Sequence, residues 1–84
     1  KIIYTSKFER HYRKLPDKIK NTAKRREKVF RSDPFSKTLE THKLSGKFRD
    51  FWAFSVDHRY RIIFEFGTGD IIYFHAVGDH NIYK

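Results

Sequence analysis

FWAFSVDHRYRIIFEFGTGDIIYFHAVGDHNIY, residues 51–83, decides the fold. Three segments rich in aromatic and β-branched residues are separated by Asp57-His58 and by Gly67-Thr68-Gly69-Asp70. Both separators have the composition of turns at which a strand reverses, so the stretch reads as an antiparallel meander. In Tyr60–Phe66, period-two alternation puts Tyr60, Ile62, Phe64 and Phe66 on one face and Arg59, Arg61, Ile63 and Glu65 on the other. The first set is expected to be core, which leaves the arginines on the uncovered face. In the last strand the same alternation groups Tyr73, His75 and Val77 on the core face, opposite Phe74, Ala76 and Gly78. Small side chains at 76 and 78 then predict a depression beside His80.

Upstream of the meander, Lys1-Ile2-Ile3-Tyr4 is a short apolar start able to pair with the sheet. Ser6-Lys7-Phe8-Glu9 has the S-x-x-E form of a capping box and predicts a helix from about Lys7, with Phe8, Tyr12 and Leu15 as its apolar stripe. Pro16-Asp17 ends it and caps a second helix over Lys18–Arg31, with Ile19, Ala23, Val29 and Phe30 facing inward. Pro34 stops that helix, because proline disfavours helical geometry in the residue before it. Phe35–Lys47 shows no period and reads as a connecting loop, with room for one helical turn. The expected architecture is α+β: an N-terminal strand and two helices packed on one face of a twisted antiparallel sheet of about four strands, forming a single domain over residues 1–84.

Composition bounds the chemistry. The chain has no cysteine, which excludes disulfide scaffolds and thiolate chemistry and is compatible with a reducing cytosol, the expected location. The longest apolar runs are strand-sized and interrupted by charge, so neither a signal peptide nor a membrane span is expected. Position 1 is not methionine, which suggests that the gene product begins outside this numbering. Nineteen Lys and Arg against ten Asp and Glu give a net charge of +9 in an 84-residue chain that is also 18% aromatic, a balance suited to a polyanionic partner such as RNA. His75 and His80 have no third ligand spaced to join them, and no metal or cofactor is called for.

The order of strand, two helices, Leu44-Ser45-Gly46, Phe51-Trp52, the strand His58-Arg59-Tyr60-Arg61-Ile62-Ile63-Phe64 and the closing Gly78-Asp79-His80-Asn81-Ile82-Tyr83 resembles the RelE/ParE superfamily of type II toxins. Within it, the YoeB and YafQ branches of mRNA interferases are the most similar. Trp52 and Phe54 stand where RelE itself has lysines, and Ala76 where the YafQ branch has an arginine. The resemblance implies a ribosome-associated endoribonuclease that cuts translated mRNA and is silenced by a cognate antitoxin protein. It implies His42, Arg61, His80 and Tyr83 as the catalytic set. Lys43, Lys47, Arg49 and Arg59, which flank these positions, are assigned to RNA binding.

The chemistry asks for the same side chains. Metal-free RNA cleavage needs a base for the 2′-hydroxyl proton, a cation for the charge gathering on the phosphate and an acid for the leaving 5′-oxygen. Two imidazoles and an arginine suit those tasks near neutral pH. His42 is assigned as base, Arg61 as clamp, His80 as acid and Tyr83 as a stacking or positioning group, with the base and acid labels interchangeable. His75 reads as structural, His11 and His58 as surface residues, and Trp52 as packing. Two other functions fit the resemblance or the charge: a non-catalytic ParE-type toxin that inhibits DNA gyrase, and a plain nucleic-acid-binding module. Convergence of His42, Arg61 and His80 on one cleft distinguishes the first reading from these.

Overall fold

Residues 1–83 are described by a computed structural model, and their elements follow the patterning closely. Strand β1 (Ile2–Tyr4) leads into helices α1 (Ser6–Arg13) and α2 (Asp17–Ser32), then β2 (His42–Lys43), β3 (Trp52–Ser55), β4 (Arg61–Phe66) and β5 (Ile72–Gly78). The five strands form one sheet in the order β1-β5-β4-β3-β2. Neighbours pair antiparallel except at one edge, where β1 runs parallel to β5. The strand beyond the expected count is β2, two residues inside the predicted loop. That loop also folds into short 3-10 turns at Lys37–Leu39 and Gly46–Phe48.

Helix α1 begins one residue earlier than its S-x-x-E pattern suggests. The cap is Thr5, whose Oγ1 accepts from the Phe8 N–H at 3.1 Å, rather than Ser6. Thr5 is already held by β5: its N–H donates to the Phe74 carbonyl at 3.1 Å and its hydroxyl to the His75 carbonyl at 3.3 Å. Sheet pairing thus fixes where the helix starts. Pro16 stands at the N-cap of α2 without a side-chain capping bond, and the helix runs on to Ser32.

One face of the sheet carries the core. Phe8, Ala23 and Phe30 from the helices and Leu15 from the turn between them close on Phe54, Val56, Ile62, Phe64, Phe74 and Val77. Phe30 is at its centre, with ring centroids 4.9 Å from those of Phe54 and Phe64 and 5.4 Å from Phe74. Each such ring taken out of water contributes about 1.5–3 kcal/mol, so these aromatics dominate the stability of a small chain. Trp52 packs against this core beside Phe35 and Phe66.

β5 departs from simple alternation. Ile63 pairs with Ala76 while Phe64 pairs with Phe74, so His75 is an extra residue, a β-bulge. Phe74 and Val77 therefore both enter the core, and Tyr73 and His75 lie on the opposite face with Ala76 and Gly78. The expected core positions of Tyr73 and His75 are corrected accordingly. His75 is half-buried, its Nε2 2.9 Å from the Glu65 carboxylate and its ring 5.0 Å from that of Phe51.

The opposite face is less open than the sequence suggests. Ala53, Ile63 and Ala76 on it are buried. Phe48, Phe51 and Ile82 stand around a hollow of ≈ 210 Å³ that Ile63 and Ala76 also line, and Phe48 lies 6.1 Å from the Tyr83 ring. Of the depression expected beside His80, the space directly over Gly78 is taken, since a Cβ there would come within 2.5 Å of Ile82 Cγ2, while Ala76 still lines that hollow. Glycine at 78 is thus what allows the closing 3-10 turn, His80–Tyr83, to sit down on the sheet. Gly78→Val is expected to displace that turn and reduce any activity that uses His80 and Tyr83 by roughly 10-fold or more, by misplacement alone. Loss of the cross-peaks between residue 78 and Ile82 in NMR spectra of the folded variant is the check.

Candidate active site

The cleft forms at the end of the sheet where β4 begins and β5 ends. Arg61 pairs with Ser55 on one side and Gly78 on the other, and His42 pairs with Ala53 one strand further out. This register places the β3–β4 turn, the start of β2 and the chain after β5 around one hollow. His42, His58, Arg59, Arg61, Asp79, His80 and Tyr83 line it, enclosing ≈ 380 Å³. The four residues expected to be catalytic are all among them. Of the four expected to bind RNA, Arg59 lines the cleft, with its guanidinium 5.9 Å from the Tyr60 ring centroid. Lys43, Lys47 and Arg49 are exposed outside the lining, and the Lys47 ammonium lies 5.3 Å from the Phe48 ring centroid.

Arg61 is held by the turn it follows. Its Nη1 donates to the carbonyls of Asp57 at 2.7 Å and Tyr60 at 3.2 Å. The Asp57 carboxylate accepts from the backbone N–H groups of Arg59 and Tyr60, each at 2.8 Å, which closes the turn. Burial works to raise the Asp57 carboxyl, but those two N–H groups, with His58 and Arg61 nearby, outweigh it and hold the group below the usual carboxylate range. Arg26 on α2 adds a brace from below, its Nε donating to the Val56 carbonyl at 3.2 Å. The guanidinium is thereby tethered through one nitrogen, with its other donors left for an anion.

The opposite wall comes from the closing turn. Asp79 Oδ1 accepts from the Asn81 N–H at 3.0 Å and the Asp79 carbonyl from the Ile82 N–H at 3.1 Å, so this residue shapes the turn that presents His80 and Tyr83. Burial pushes the Tyr83 phenol up, against the opposing pull of Arg61, so the hydroxyl stays protonated at neutral pH. His42 and His80 are exposed. His58, exposed as expected of a surface group, and Asp79, to which the sequence assigns no role, also line the cleft. Their adjacency to Arg59 and His80 was the available signal. The site thus gathers three imidazoles, two guanidiniums, one phenol and one carboxylate, a set able to hold a phosphodiester and move protons at it.

Behind this wall, the Val77 N–H donates to His11 Nδ1 at 3.3 Å, which requires a neutral ring. Burial, then Lys7, Arg10 and Lys14, hold the His11 imidazole below its ordinary value. As pH falls through about 6.5, the unfolded chain therefore takes up this proton before the folded one, and stability declines until the folded value is reached. Above that window the contribution is fully present. Urea midpoints at pH 7.5 and 5.5 are expected to differ more for the wild type than for His11→Asn, and equal differences would remove this role.

No protein-family model matches the chain, and no curated protein matches it. Solved structures do match. YafQ from E. coli strain BL21(DE3) superposes with a TM-score of 0.81 at 16% identity, over 99% of this chain and 96% of that one. A YoeB/ParE toxin from Agrobacterium tumefaciens gives 0.79 at 14% identity, over 95% and 98%. The RelB-RelE antitoxin-toxin complex from Methanococcus jannaschii gives 0.75 at 21% identity, over 98% and 95%. At these identities the likeness is one of fold, and it extends over the whole sheet and both helices.

Proposed function

We propose that this chain, which has the fold shared by the RelE/ParE-superfamily toxins, is the toxin of a type II toxin–antitoxin pair and a metal-independent endoribonuclease acting on mRNA at the ribosome. The observation that carries this reading is the convergence of His42, Arg61, His80 and Tyr83 on one cleft. In the proposed reaction an imidazole takes the 2′-hydroxyl proton and the 2′-oxygen attacks the adjacent phosphorus. A 2′,3′-cyclic phosphate forms as the bond to the 5′-oxygen breaks, and the second imidazole protonates that oxygen. Arg61 balances the charge that gathers on the phosphoryl oxygens, and Tyr83 offers its ring to a base. Arg59 lies within reach of the substrate backbone, and Lys43, Lys47 and Arg49 extend the positive surface around it.

The reading also requires a silencing partner, and structures of this fold include an antitoxin-toxin complex. A groove of ≈ 680 Å³ beside the helices has Tyr4, Phe8 and Tyr12 among its walls, and Arg13, Lys24, Lys28 and Arg31 around them against Glu9 and Glu27. An acidic amphipathic segment of a small antitoxin protein complements that surface. Among the described residues no helix is long and apolar enough to cross a membrane, and the cytoplasm, where translated mRNA lies, is the proposed site of action.

Expression of the chain followed by mapping of mRNA 5′ ends tests the proposal. Cuts at fixed positions within reading frames, absent when an antitoxin is co-expressed, are the expected result. Intact mRNA accompanied by gyrase-dependent DNA damage would replace this function with the ParE-type one.

A further inference from the structure

His42 follows a backbone turn of unusual conformation. Glu40, two residues earlier, has φ 52°, and among the described residues it is the one non-glycine residue in the left-handed region. Such a conformation is unfavourable for a residue with a Cβ and persists only where the surroundings hold it. The surroundings here are specific. Ser55 on β3, 5% exposed, donates its hydroxyl to Glu40 Oε1 at 2.9 Å, and the Glu40 N–H donates to the Lys37 carbonyl at 3.2 Å. The Thr41 hydroxyl donates to the Pro34 carbonyl and holds the next residue. A buried hydroxyl needs a partner, so Ser55 and the Glu40 carboxylate fix one another.

The turn so held points its carbonyl at His42. The Glu40 carbonyl oxygen lies 3.0 Å from His42 Nδ1. A carbonyl can only accept, so the neutral ring carries its proton on Nδ1, and the free lone pair is on Nε2. A free histidine side chain prefers the opposite tautomer.

We propose that Ser55 and Glu40 are a positioning pair that sets the tautomer of His42, making Nε2 the basic nitrogen at the cleft. The assignment of what that base does rests on the nuclease reading; the tautomer does not. Neither Ser55 nor Glu40 lines the cleft, and both act through the ring alone.

Two-bond 1H–15N correlation NMR on the uniformly 15N-labelled chain at about pH 8, where imidazoles are neutral, reads the tautomer directly. The wild type is expected to show a protonated Nδ1 and an unprotonated Nε2 at His42. Ser55→Ala and Glu40→Ala shift that pattern toward the Nε2–H form. Glu40→Gln, whose amide oxygen still accepts from Ser55, restores the wild-type pattern. Single-turnover cleavage falls roughly 10- to 100-fold in the two alanine variants, with the pH profile moved, and stays near wild type in Glu40→Gln. A wild-type His42 in the Nε2–H form, or an unchanged pattern in both alanine variants, overturns the proposal. Glu40 is exposed, so its variants keep the test open if Ser55→Ala does not fold. The expected tautomers in a chain that cleaves no RNA would sustain the pair and remove the nuclease reading instead.

Discussion

Arg61→Ala is expected to lower mRNA cleavage by at least ~10²-fold while the chain stays folded, which corresponds to about 2.7 kcal/mol or more of lost transition-state stabilisation. The stability cost is smaller. The side chain donates to two carbonyls of the β3–β4 turn at 2.7 and 3.2 Å from a half-buried position, and the Asp57 carboxylate still closes that turn without it. Losing those bonds removes about 1–2 kcal/mol of folding free energy. Arg61→Lys separates charge from geometry: it keeps the positive charge but cannot both hold the turn and present a fork to the phosphate, so an intermediate rate is expected. Single-turnover cleavage beside thermal unfolding reads both quantities. Full activity in Arg61→Ala removes the arginine from the reaction, and an unfolded variant reassigns it to the scaffold.

His80→Gln should show the next largest effect, a loss of roughly 10²-fold or more in single-turnover rate with nearly unchanged binding. Binding rests on the excess of Lys and Arg over Asp and Glu, nineteen against ten, and the dependence of affinity on salt reports those charges rather than the imidazole. The salt slopes of His80→Gln and the wild type are expected to coincide. His42→Gln should lose rate to a similar extent. In the wild type, one imidazole must be neutral and the other protonated, so the rate passes through a maximum with pH, and the two limbs belong to the pair. Each variant should flatten one limb, on opposite sides. Wild-type rates in both would leave the reaction to charge stabilisation and positioning by Arg61 and Tyr83.

Much of this was legible in the sequence because periodicity is a direct record of burial. Phe8, Leu15, Ala23 and Phe30 are buried where the helical stripes place them, and Ile62 and Phe64 where strand alternation does, while Phe66, expected on the same core face, is 40% exposed at the end of β4. Arg61, His80 and Tyr83 also lie together, since a meander of known turn positions brings the start of β4 and the end of β5 to one end of the sheet. What was not legible involves long-range pairing. The bulge at His75 is one inserted residue relative to β4, invisible without the partner strand, and it exchanges the faces of Tyr73 and Phe74. Strand β2 is two exposed residues whose only strand-forming cause is the edge of β3. The cap at Thr5 was outranked by a good local pattern at Ser6, because the bonds that fix Thr5 come from β5, some seventy residues away. The Glu40 turn carries no glycine or asparagine to announce its left-handed backbone.

The strand order β1-β5-β4-β3-β2 has a consequence for how the protein comes into being. Strand β5 comes after the other four in the sequence yet lies inside the sheet, between β1 and the rest, so β1 has no neighbour and β4 has an unpaired edge until β5 arrives. Inserting β5 closes a loop spanning nearly the whole chain, an entropic cost met late and all at once. A growing chain on its way out of a ribosome therefore cannot assemble the cleft in stages: without residues 72–83 there is neither Phe74 in the core nor His80 and Tyr83 at the site. Under the proposed function, a cell making this protein meets no half-formed nuclease at its own translating ribosomes, and an antitoxin meets only one in which β5 is already in place.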